Sequence, residues 1–218
     1  MIGALFNLLL GNVLLFCRRT LGLQKKYSMK AKLLFFTLFL TNIVFAQKDE
    51  KKIVFFGFDF SNVKCIGSGE FADLEKLRDS YFPGWNKYFD ERRDNGECSV
   101  KKNFDKETVI YDYTIVTKRN SETDIKKIVI DDVKYTLNDG MIANALKTYD
   151  TDLKGLGLVI MVEALNKKKE IVTMYPVFFD IQTKKVVLKK RLIGKTSGFG
   201  FNNYWESGLV RGFRSFKY

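Results

Sequence analysis

LGLVIMVEALNKKKEIVTMYPVFFDIQTKKVVLKKRLI, residues 156–193, is the stretch that sets the fold. Three runs rich in branched and aromatic residues, 156–165, 171–181 and 185–193, are separated by the polar segments NKKKE and QTK. Connections this short join antiparallel neighbours, so the runs predict a three-stranded meander. Beyond it, Tyr204, Trp205, Leu209, Val210, Phe213 and Phe216 recur at mostly helical spacing within residues 202–216. A C-terminal helix laid over the meander follows.

Working back toward the N-terminus, IVFFGFDF at 53–60 is a β-rich run bounded by polar SN and by GSGE, and predicts a buried central strand. Phe71, Leu74, Leu77, Tyr81, Trp85, Tyr88 and Phe89 then form a helical stripe. Pro83 within it removes a backbone donor, which predicts two helices or a kinked one, with Pro83 near the first position of the second. Gly96 is the expected stop. Residues 108–118 alternate as a strand would, residues 127–131 add a short one, and Asn138-Asp139 is cap chemistry for a helix carrying Met141, Ile142, Ala145, Leu146 and Tyr149. The whole reads as one α+β domain over residues 47–218: a mixed β-sheet with a C-terminal antiparallel meander and helices packed on it.

Upstream of that domain, residues 29–46 have the layout of a cleavable signal peptide. Lys30 and Lys32 precede an apolar run, 33–45, too short to span a bilayer, and Val44 and Ala46 place small residues at −3 and −1 of a cut before Gln47. A second apolar stretch at 2–16 is read as an upstream extension, translation starting at Met29. The mature chain is thus expected to be exported, periplasmic or secreted, with no integral membrane span after cleavage. Of the formal charge of +12, half comes from Arg18, Arg19, Lys25, Lys26, Lys30 and Lys32, all ahead of the cut. The remainder is ordinary for a domain of mixed charge, and nucleic acid is not an expected partner.

The chain has no histidine, which removes the commonest general base near neutral pH and the commonest metal ligand. No cofactor and no metal site are expected, and the reading leans away from an enzyme. Cys65 and Cys98 are the two cysteines of the mature part, an even pair that an oxidising compartment favours as a disulfide. Closing that loop contributes about 3.8 kcal/mol on the chain-entropy account; two separate thiols are the other reading.

Two groups of residues are candidates for chemistry. GKTSGFGFNNYW at 194–205 holds Lys195, Gly198, Gly200, Asn202 and Asn203, where amides at a helix start beside a lysine suit an anion or a partner. It lacks the remaining glycines of a nucleotide loop, and a plain strand-to-helix turn capped by Asn202 or Asn203 is the simpler reading. Asp59 and Asp180 stand in apolar strands and, if within about 10 Å in a pocket, would form a catalytic carboxylate pair. Asp180 is otherwise a hairpin-turn residue, and Asp59 with Ser61 a strand terminator. Lysines at 167–169, 184–185 and 189–190, with Arg191, serve an edge against sheet pairing or, functionally, contact anionic lipid headgroups or an acidic glycan.

The signal ending FAQ, the strand FFGFDFSNVK, the run VFFDIQTKKVV and the closing GKTSGFGFNNYW together resemble a family of uncharacterised exported proteins of Bacteroidota. The resemblance implies an envelope or secreted location and a single α/β domain, and brings no catalytic residues. The function expected is a non-enzymatic domain that binds a protein or envelope component through the meander edge or the loop around Gly198. A carboxylate-dependent hydrolase or transferase of envelope glycans is the alternative.

Overall fold

The structure, a computed structural model, describes residues 50–94 and 96–216. The signal peptide, the segment before it and the expected start at Gln47 lie outside the described residues.

Strands β1 (Lys52–Asp59) and β2 (Lys64–Ile66) come first, followed by helix α1 (Leu74–Lys76), a π turn (Leu77–Tyr81) and helix α2 (Phe82–Glu91). Then come α3 (Val100–Phe104), β3 (Thr108–Tyr111), α4 (Thr114–Ser121), β4 (Val129–Ile130) and α5 (Asp139–Lys147). The chain closes with β5 (Leu156–Asn166), β6 (Ile171–Asp180), β7 (Val186–Lys189), β8 (Leu192–Lys195) and α6 (Phe201–Arg214).

β5 is the axis of the sheet. One edge carries β6 antiparallel along its length, Leu156 opposite Asp180 and Asn166 opposite Ile171. The other edge carries two parallel strands end to end, β1 beside residues 156–161 and β2 beside residues 164–166. β3 continues the sheet outside β1 and β4 outside β2, while β7 and β8 share the outer edge of β6. Eight strands therefore fill five lanes, and only β6 runs against the others. The fold is α+β on a mixed sheet.

The third run of the meander is split, and Pro176 accounts for it. The β5 ladder passes through Pro176 in register with Ile160, so its missing N–H faces the outer lane. There the pairing stops between Val177–Lys189 and Met174–Leu192, leaving Lys190 and Arg191 unladdered.

Apolar side chains fill both faces of the sheet. Phe82, Trp85 and Phe89 of α2, Phe104 of α3 and Trp205, Leu209 and Phe213 of α6 pack on one face. Val116 of α4 and Ile142, Ala145 and Leu146 of α5 pack on the other. Covered on both sides, every residue of β5 is buried, which is why it reads as a mainly apolar run, interrupted within it by Glu163, whose carboxylate accepts from Leu137 N–H and Arg191. In β1 a bulge at Gly57, φ +97°, resets the alternation, so that Phe55 and Phe58 both face the larger core.

Three local expectations are corrected. Residues 108–118 are not one strand: β3 ends at Tyr111, Asp112 accepts a bond from the Thr114 amide at 3.0 Å, and α4 begins. Its β-branched TIVT is helical because Val116 and Asn120, one turn apart, are both wanted in the interior. The helix through Pro83 ends at Glu91, not at Gly96, which lies in a separate turn. Pro83 itself stands where expected, at the start of α2, and the break takes the form of a π turn closed by Phe82 N–H on the Leu77 carbonyl. Finally, Cys65 and Cys98 are separate buried thiols without a bridge. Cys65 is fixed in β2 between β4 and β5, and Cys98 sits in the turn Gly96–Cys98 that packs against α6, so each side chain is held by a different element. Burial pushes the Cys65 thiol pKa far up, the opposite of what a reactive thiolate needs.

Candidate functional site

The loop between β8 and α6 is pinned at its base and bare at its tip. Thr196 N–H donates to the Glu170 carbonyl at 2.9 Å, tying it to the β5–β6 turn. The Ser207 hydroxyl accepts from Ser197 N–H and donates to the Ser197 carbonyl, both at 2.8 Å. Arg211 donates to the Lys195 carbonyl at 2.9 Å and to Ser197 Oγ at 2.6 Å. Gly198 and Gly200 then take φ of +110° and +78°, backbone that side chains rarely adopt. Between them Phe199 is 96% exposed.

Beside the tip is a shallow cleft of about 350 Å³ lined by Glu70, Lys167, Gly198, Phe199, Gly200, Phe201, Tyr204 and Trp205. Lys167 Nζ lies 4.0 Å from the centre of the Tyr204 ring. Of the residues singled out in the sequence, Gly198 and Gly200 line this cleft, Lys195 leads into the loop, and Asn202 and Asn203 belong to the first turn of α6. Neither asparagine caps the helix: Gly200 occupies that place and no side chain bonds there. Phe199 was hidden to sequence reasoning because the glycines around it drew attention to backbone amides. A large apolar residue isolated between two glycines in a polar turn was the available signal.

Asp59 and Asp180 do not form a pair. They lie against opposite edges of β5, beside Met161 and Leu156, which is roughly 16 Å apart along the strand alone at about 3.3 Å per residue. Asp180 closes the β6–β7 turn, accepting from Thr183 N and Oγ1 at 2.7 Å each. Asp59, at the end of β1, accepts from Ser61 N at 2.8 Å, Arg119 Nε at 2.9 Å and Tyr149 Oη at 2.7 Å. Arg119 also donates to Ser61 Oγ and Thr148 Oγ1. Burial works against the Arg119 charge, but Asp59 with Tyr149 outweighs it and raises the guanidinium pKa. Burial first, then the Asp59 charge, pushes the Tyr149 phenol well above its ordinary value. A carboxylate so fully engaged is a structural anion, and Arg119 and Tyr149 as its partners, 60 and 90 residues away, left no trace in the local sequence.

A second cleft, about 360 Å³, opens between α2 and α4 and is lined by Arg78, Asp79, Asn86, Lys87, Asp90, Tyr113 and Asn120 among others. Its two asparagines are spent on backbone at the end of β1 and just beyond it: Asn86 Oδ1 accepts from Phe58 N at 2.8 Å and Asn120 Oδ1 from Phe60 N at 2.7 Å. They replace β3, which has ended by this level of the sheet. Among the described residues no cluster of His, Cys, Asp and Glu suits a metal, and no helix is long and apolar enough to cross a membrane. Comparison with protein-family models, with curated proteins and with solved structures finds no match to this chain.

Proposed function

We propose that this chain is a non-enzymatic binding domain, exported to the periplasm or beyond, that engages an envelope component or protein through the Gly198–Phe199–Gly200 loop. The observation that carries the reading is Phe199, presented almost wholly to solvent by two glycines in left-handed backbone on a loop whose base is hydrogen-bonded at three points. A ring that packs on nothing adds nothing to the core, and a pinned loop loses little entropy on binding. The enzyme alternative has no comparable support, since the two carboxylates that prompted it are apart and each is satisfied in place.

A photo-reactive amino acid at position 199, introduced in the producing cells, tests this directly. The expected result is a defined adduct that the same probe at exposed Glu122 does not give; no adduct above that control sinks the reading. Mass spectrometry of the native protein tests the export half, which requires an N-terminus near Gln47 rather than at residue 1 or 29.

A further inference from the structure

The groups around Phe199 share one chemistry. Next to it in the cleft stand the half-buried rings of Phe201 and Tyr204, with Trp205 buried beneath them, and alongside them the ammonium of Lys167. Lys195 ends β8 just before the loop and is exposed, and Arg211 holds the loop base. Neither Lys167 nor Lys195 is in an ion pair among the described residues, and Glu70 is the acid in the cleft. An apolar tip, a collar of aromatic rings and an excess of cations is the layering of a bilayer interface: acyl chains, glycerol region and phosphates.

From this arrangement we infer that the loop docks on an anionic lipid surface, Phe199 entering the acyl boundary while Lys167 and Lys195 face lipid phosphates. The inference rests on the binding reading above and names its partner. Size argues for lipid over protein. Exposed large apolar side chains among the described residues are Ile110, Val133, Ile193 and Phe199, and the first three are far less exposed than the last. One projecting ring is much less than the roughly 1,000 Å² that a specific protein interface buries. A bilayer needs no matching pocket, because lipid closes around whatever shape enters it. The two glycines fix the direction in which the ring points: a Cβ at Gly200 would meet nothing within 4 Å, so φ and not space demands glycine there. Binding through one ring and a few cations is reversible and falls with salt.

Vesicle flotation of the chain from its expected mature start at Gln47, which contains both described cores, is the test. Phosphatidylcholine vesicles containing phosphatidylglycerol are expected to carry the protein up the gradient, and phosphatidylcholine alone to carry little. Phe199→Ser should weaken partitioning about tenfold, the loss of much of one buried Phe, with an unchanged melting curve. Replacing Lys167 and Lys195 together by Gln should erase the preference for phosphatidylglycerol. In Phe199→Trp, brominated acyl chains should quench the new fluorophore beyond the change seen in the parent. Failure of the parent to float with either vesicle, or equal flotation of Phe199→Ser, overturns the inference. A protein adduct from position 199 with no vesicle binding would overturn the lipid assignment and leave the binding reading standing; no adduct and no flotation would remove both.

Discussion

Asp59 brings a carboxylate to a site 2% exposed, and three donors make that tolerable. Removing one partner of a buried ion pair strands the other charge, so Arg119→Ala is expected to destabilise the fold by about 3–5 kcal/mol, read as a lower urea midpoint. Tyr149 gives the same cluster an alkaline limit. Its folded pKa lies well above the ordinary value near 10. The unfolded chain therefore releases this proton first, and the contribution is whole below about pH 10 and lost as pH rises toward the folded value. Tyr135, pushed up to about 12 by burial and the Glu163 charge, acts in the same direction. Urea midpoints at pH 8 and pH 11 should show Tyr149→Phe less stable than the parent at the lower pH, for want of its bond to Asp59, yet falling by less between the two. At this scale the sequence is half legible. GFDFS shows a polar residue at a strand end and DIQTKK shows a turn aspartate, because both roles are local; the arginine and tyrosine that neutralise Asp59 arrive through the tertiary fold.

Helix α6 and strand β8 meet backbone to backbone. Gly208 and Gly212, one helical turn apart, face Gly194, and a Cβ on Gly194 would overlap the Gly208 carbonyl and the Gly212 amide. Neither is a flexible side chain that can yield, so Gly194→Ala is expected to cost about 3 kcal/mol or more and to lower the melting temperature while Gly84→Ala, in α2, where a Cβ would meet nothing within 4 Å, changes it little. A Cβ at Gly208 would press Val172 Cγ2 at 2.6 Å, so Gly208→Ala should act in the same sense. The glycine of GKTS, which looks like part of a phosphate loop, is thus a packing glycine. Elements with a clean signal were readable: β5 and β6 from their length and composition, α5 from Asn138, whose side chain does accept from Met141 N–H at 3.0 Å. Those governed by a contact elsewhere were not. TIVT became helix because Asn120 was needed against β1, and KKVVLKKRLI broke in two because of a proline in the neighbouring strand.

On the scale of the molecule, one sheet separates two apolar cores that share its strands. Phe55 and Leu158 face one core, Phe56 and Val159 the other, so neither can lose its packing without releasing the strands that form its partner's floor. Burial on both faces also explains why residues 156–165 carry no alternation of polar and apolar residues, and why helices on two sides of the sheet were not evident from that stretch. The fluorophores give a way to test the coupling. Trp85 and Trp205 both lie in the larger core, whereas Leu146, fully buried, lies in the smaller one. Leu146→Ala removes a core side chain at about 2–5 kcal/mol. If the sheet makes the two cores one cooperative unit, tryptophan fluorescence, which never sees Leu146 directly, must report the whole of that loss, with its urea midpoint shifting in step with far-ultraviolet circular dichroism. A tryptophan transition that stays at the parent's midpoint while circular dichroism moves would show instead that the smaller core unfolds on its own.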